Sequence, residues 1–158
     1  MVNNVKYKAL LSAVLLVLVV SECEDKKSST SSLPQIAGNQ TGKRVIDTAL
    51  VKQGNTIYQK YCSSCHGAHA EGDPNWRTPG PDGKYPPPPL NGTGHAWHHP
   101  TPVLEEIIKH GTAPQGNMPA WEGKLTDQEI KAVVAWFQSL WPDEVYAAWR
   151  DIDRRSRK

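Results

Sequence analysis

Cys62, Ser63, Ser64, Cys65 and His66 run consecutively. Thiols at i and i+3, with an imidazole directly after the second, form the attachment pattern of a c-type haem. Each thiol can add across one vinyl group of a porphyrin, and a short helical bridge sets both sulfurs and the imidazole against one ring. The pattern predicts thioether bonds at Cys62 and Cys65 and an axial iron ligand at His66. A Cys-x-x-Cys pair also occurs in thioredoxin-like redox sites and in zinc sites. Cys23 is the one other cysteine, so no second pair completes a four-cysteine zinc site. His69 could join Cys62, Cys65 and His66 around zinc, but four ligands so close in sequence leave little chain to wrap a tetrahedron. The strand–helix alternation around a thioredoxin-like motif is not visible.

A haem iron held by His66 has a second axial position. Met1 belongs to the N-terminal signal, so Met118 is the thioether available to a folded domain, in the turn Gly116-Asn117-Met118-Pro119. A lone methionine is usually core filler. Its uniqueness and its Gly/Pro setting here point to ligation. A thioether favours ferrous iron relative to a second imidazole and so raises the reduction potential. His95, His98, His99 and His110 are the rival ligands, each of which would give a lower potential. The run His95-Ala96-Trp97-His98-His99 also admits a copper site. Histidines lying on the surface near a haem rim are the plainer reading, and His69 looks equally ordinary.

These residues need elements to position them. Val51, Ile57, Tyr58 and Tyr61 predict a helix over Thr48–Tyr61 that delivers the chain into Cys62, with Gly54 on the same face. A glycine inside a helix costs about 1 kcal/mol against alanine, which points to close packing by another element. Val103, Leu104, Ile107 and Ile108 predict a helix over 102–110, capped by Thr101 and ended by Gly111. Thr126 with Glu129 forms a capping box that opens a helix over 127–141. Its stripe of Ile130, Val133, Val134, Phe137, Leu140 and Trp141 has helical period, and Pro142 closes it. A short helix with Val145, Tyr146 and Trp149 on one side is expected after Asp143, ending in a solvated tail of Arg154, Arg155, Arg157 and Lys158. Between His66 and Thr101 there is no periodic signal. A loop this long needs an organiser, and a haem edge packed by Leu90 and Trp97 would serve.

The 158 residues predict one domain, and a hydrophobic share of 38% with a single Phe makes a thin core that a covalent haem would supplement. A net charge of +2, without a basic stripe interleaved with aromatics, gives no case for nucleic-acid binding. At the N-terminus, Lys6 and Lys8 precede an apolar stretch over 9–20, too short to span a bilayer as a helix but suited to an export signal. Residues 1–22 read as that signal. Cys23 then resembles a lipoprotein cleavage cysteine, with Glu22 where a small residue is usual, so a lipid-tethered protein outside the cytoplasmic membrane is expected. Residues 23–44 read as a flexible polar linker, 45–142 as the haem domain and 143–158 as a helical extension with a basic tail.

With these residues in hand, the chain resembles the bacterial class I monohaem c-type cytochromes. The resemblance covers roughly residues 50–142 and rests on Cys62-Ser63-Ser64-Cys65-His66-Gly67, Pro89-Leu90, Met118-Pro119 and the run Leu125 to Ile130. It implies an all-α fold around one covalent haem c, with the first and last helices of the domain crossed and Gly54 against Trp136 or Phe137. It also implies that a carbonyl in the proline run, that of Pro89, accepts a hydrogen bond from His66. The loop over 72–100 is longer than in a minimal member, and the histidine cluster is an addition.

The expected function is one-electron transfer with transient redox partners in the periplasm. A haem module of a membrane oxidoreductase complex is the alternative, and a haem-based ligand-binding or sensor protein is another. Neither form of electron carrier is itself an enzyme.

Overall fold

The computed structural model describes residues 44–158. The export signal, Cys23 and all of the expected linker except Arg44 lie outside the described residues. In chain order the elements are α1 (Thr48–Tyr61), α2 (Ser63–His66), a 3-10 turn (Ala96–His98), α3 (Thr101–His110), α4 (Asp127–Ser139) and α5 (Asp143–Ser156). Among the described residues the only β-pairings are the isolated bridges Tyr85 to Gly116 and Glu122 to Leu125. The fold is all-α.

α1 and α4 form the frame. Asp47 caps α1, its Oδ1 accepting from the N–H groups of Ala49 and Leu50 at 3.0 Å each. The Thr126–Glu129 capping box opens α4 as the sequence predicts. Between the helices stands Gly54. A Cβ there would lie 1.9 Å from the Ala132 carbonyl oxygen and 2.8 Å from the Trp136 Cβ, so only hydrogen fits. Of the two expected partners Trp136 makes the contact, and the Ala132 backbone shares it. One step along α1, the fully buried Tyr58 ring lies 4.0 Å from that of Trp136.

α4 stops at Ser139, short of the expected Trp141. Pro142 biases the residue before it away from helical geometry. Trp141 turns inward instead, and its indole N–H donates to the Leu90 carbonyl at 2.7 Å.

α3 also differs from expectation at its start. Pro100 occupies the N-cap position, Thr101 is already helical, and no cap side chain bonds the first turn. The Thr101 N–H is met instead by Asp153 Oδ1 of α5 at 2.8 Å. α5 is thus docked through its buried Trp149 and Asp153, while the basic side chains of Arg154, Arg155, Arg157 and Lys158 are exposed. It continues through Arg154 and Arg155, and Arg157 pairs with Asp153 at 2.6 Å. Its Trp149 indole donates to the His99 carbonyl at 3.1 Å and packs edge-on against Trp141. Arg44 closes the same corner by donating to the Trp141 carbonyl at 3.0 Å and stacking over Tyr146.

The long loop after α2 is held by its backbone. Gly72 N–H bonds the His66 carbonyl at 2.8 Å, and Asp73 N–H bonds that of Pro87 at 2.9 Å. The carbonyl of buried Ala70 accepts from both Leu90 and Asn91. Prolines cannot donate, so the residues flanking the run supply the N–H groups. Leu90 and Trp97, expected to line a haem edge, are partly buried against the core.

Candidate haem site

The motif is built as a continuation of α1. Cys62 N–H bonds the Tyr58 carbonyl at 2.8 Å, and His66 N–H bonds the Cys62 carbonyl at 2.9 Å. This puts Cys62, Cys65 and His66 on one helical turn. Two α1 side chains then grip the chain beyond it. The Tyr58 hydroxyl donates to the Gly67 carbonyl at 2.8 Å, and Gln59 Nε2 to the Ala68 carbonyl at 2.9 Å. Burial, then the nearby Cys62 and Glu71, push the Tyr58 phenol far above its usual range, so it is a proton donor at any working pH. Neither contact is marked by a sequence motif, although Tyr58 lies one helical turn before Cys62.

His66 is buried, 8% exposed. Its Nδ1 lies 3.0 Å from the Pro88 carbonyl oxygen. The expected acceptor was Pro89, so the contact falls one residue earlier. The Leu90 and Asn91 N–H groups anchor on the distant Ala70 carbonyl and fix how the proline run presents its carbonyls. Burial lowers the His66 pKa and the Pro88 contact partly opposes that shift. A neutral imidazole donating from Nδ1 keeps its Nε2 lone pair for a metal.

Cys62 is half-buried, Cys65 is exposed, and both thiols are free. Burial, then the neighbouring Cys65, push the Cys62 thiol up to about 11. Thiols that work in redox exchange are shifted the other way, towards the thiolate. The thioredoxin-like alternative has no support here.

Met118 lies in the turn between α3 and α4, partly buried against the same core as Cys62, Leu90 and Trp97. Thr112 holds it twice: Met118 N–H donates to Thr112 Oγ1 at 3.1 Å, and Thr112 N–H to the Met118 carbonyl at 3.1 Å. Gly111, at φ +73°, lets the Met118 backbone approach it too closely for any Cβ.

The other histidines are engaged elsewhere. His110 Nε2 pairs with Glu106 at 2.9 Å on the surface. His95 stacks on Trp76 and meets the His99 ring edge-on, while His98 stacks on Trp97. Among the described residues no three His, Cys, Asp or Glu side chains gather as a metal site. Neither the copper reading of His95, His98 and His99 nor a zinc cluster through His69 is supported.

Over residues 49–137 the chain matches the family described as cytochrome c oxidase, cbb3-type, subunit III. The chain belongs to that family.

The matched stretch of this subunit III family contains Gly54, the whole Cys62–His66 turn and Met118. Among its relatives is the cbb3-type cytochrome c oxidase subunit CcoP of Azospirillum sp. (strain B510), 32% identical over 97 residues, which are 61% of this chain and 31% of that protein. The FixP subunit of Bradyrhizobium sp. (strain ORS 278) is 35% identical over 89 residues, 55% of this chain and 26% of FixP. The FixP subunit of Bradyrhizobium diazoefficiens is 31% identical over 114 residues, 71% of this chain and 31% of FixP. The chain thus spans about a third or less of the length of these relatives. No solved structure matches. Membership supports the c-type cytochrome resemblance and implies a covalent c-type haem.

The donor set suits such a group. Two free thiols on one turn could make the thioethers, His66 presents a neutral Nε2, and Met118 could supply a soft sulfur. Among the described residues no helix is long and apolar enough to cross a membrane.

Proposed function

We propose that this chain is the electron-relay haem module of a membrane oxidoreductase complex. The family match over 49–137 carries this reading. The relatives are named as oxidase subunits, which favours a module of a complex over the free periplasmic carrier that leads the sequence reading. One Cys-x-x-Cys-His motif is present in these residues, so we assign one haem to them. Bound haem supplies the one-electron ferrous–ferric couple.

The chain's residues would divide the work as follows. Cys62 and Cys65 anchor the group covalently, and His66 and Met118 supply the axial donors. Pro88 holds His66 in one tautomer and one orientation. Thr112 and Gly111 fix the Met118 backbone. With His66 and Met118 both donating, the bound group would keep no open position for an exogenous substrate, and the module would exchange electrons with neighbouring redox proteins. Export, and a membrane tether through Cys23, complete the proposal and rest on the sequence of residues 1–23.

Maturation with haem followed by optical spectroscopy tests the site. Ferric wild-type protein should show the weak far-red charge-transfer band of sulfur on iron, and Met118→Ala should lose it. Rapid, complete carbon monoxide binding to the ferrous wild type would replace this reading with that of a haem-based sensor. Affinity purification from membranes should recover the other subunits of an oxidoreductase. Recovery of the haem protein alone would favour the free carrier.

A further inference from the structure

The segment over 80–85 lies within the long loop between α2 and the 3-10 turn. It reaches the turn that carries Met118. Asn117, the residue before Met118, has both ends of its amide engaged by this segment. Its Nδ2 donates to Asp82 Oδ2 at 3.0 Å, and its Oδ1 accepts from Lys84 Nζ at 2.8 Å. Next door, Tyr85 and Gly116 form an isolated β-bridge. The segment is itself folded to present these groups: Lys84 N–H bonds Asp82 Oδ1 at 3.0 Å, and Gly80 N–H bonds the Lys84 carbonyl at 2.8 Å.

We propose that Asp82, Lys84 and Asn117 form a clamp that positions Met118 as a ligand, deepening the axial assignment made above and resting on it. Thr112 and Gly111 hold the turn from the α3 side. Without the clamp the turn would keep only that side and the Tyr85–Gly116 bridge, and the sulfur could swing away more readily. A thioether is a weak donor to ferric iron, so its residence there depends on how firmly the chain presents it. Asp82 and Lys84 are positioning residues, since neither supplies a donor to the iron. Their contacts are exposed, so each adds little to global stability. Their effect should appear in how easily the sulfur is displaced.

The test is binding of imidazole to the ferric, haem-loaded protein, read from loss of the far-red band. Asp82→Ala and Asn117→Ala should each tighten apparent imidazole binding about fivefold, the scale expected for a charge-assisted hydrogen bond at a surface. The double variant should match Asn117→Ala, because that substitution already removes the Asp82 contact together with the Lys84 one. Thermal midpoints should stay near that of the wild type, which separates the clamp from a general structural role. Band-positive variants with wild-type imidazole affinity, or effects that add in the double variant, would overturn the clamp and leave Met118 ligation standing. A wild type that lacks the band and does not change in Met118→Ala would overturn both.

Discussion

His66 Nδ1 faces the Pro88 carbonyl oxygen at 3.0 Å, and Gly72 backs the peptide that carries this oxygen. A Cβ on Gly72 would lie 2.5 Å from the Pro88 carbonyl carbon and 2.4 Å from the Pro89 nitrogen, at a φ of +66°. Gly72→Ala should therefore destabilise the protein by about 1–3 kcal/mol and push the carbonyl away from His66. A less tightly bound imidazole is a weaker donor, so the haem potential should rise. Denaturant unfolding and a potentiometric titration check the two effects. An unchanged potential would show that this carbonyl does not tune the ligand.

Gly54→Ala should be the costliest small substitution in the frame. The atoms in its way are the Ala132 carbonyl and the Trp136 Cβ, backbone or close to it, and cannot rotate aside. Separation of α1 from α4 should cost about 3 kcal/mol, measured as a lowered midpoint in urea. Wild-type stability would mean the helices are not locked at this crossing.

Asp153→Ala removes the acceptor of the Thr101 N–H at the start of α3 and the partner of Arg157. Leaving a partly buried donor unpaired costs about 1–3 kcal/mol. Arg157→Ala alone should cost less, because that side chain is mostly in solvent. Thermal unfolding of the two variants should rank them in that order.

The capping box gives a pH signature. Hydrogen bonds from the Thr126 N–H and hydroxyl hold the Glu129 carboxyl below its ordinary value of 4.5. The folded state thus binds that proton less readily than the unfolded state. The contribution is complete above pH 4.5 and fades as the pH falls through the lower, folded value. Glu129→Gln should flatten that part of the stability profile, followed by circular dichroism in acid. Thr126→Ala should cost about 1 kcal/mol at neutral pH.

What the sequence determined by itself was the local chemistry. A fixed spacing named Cys62, Cys65 and His66 as a haem motif, helical period placed α1 over Thr48–Tyr61, and the Thr126–Glu129 pair marked the start of α4. Gly54 announced a close approach because a glycine in a helix needs a reason. These signals are short-range, and a linear pattern can hold them. The tertiary structure alone decided which carbonyl faces His66, since Ala70 sets the proline run through Leu90 and Asn91, far along the chain. It alone showed that Asp153 meets the start of α3 and that Asp82 and Lys84 meet Asn117. Each of these contacts joins a polar side chain to a partner set by the path of the intervening chain, and no periodicity or composition encodes that path.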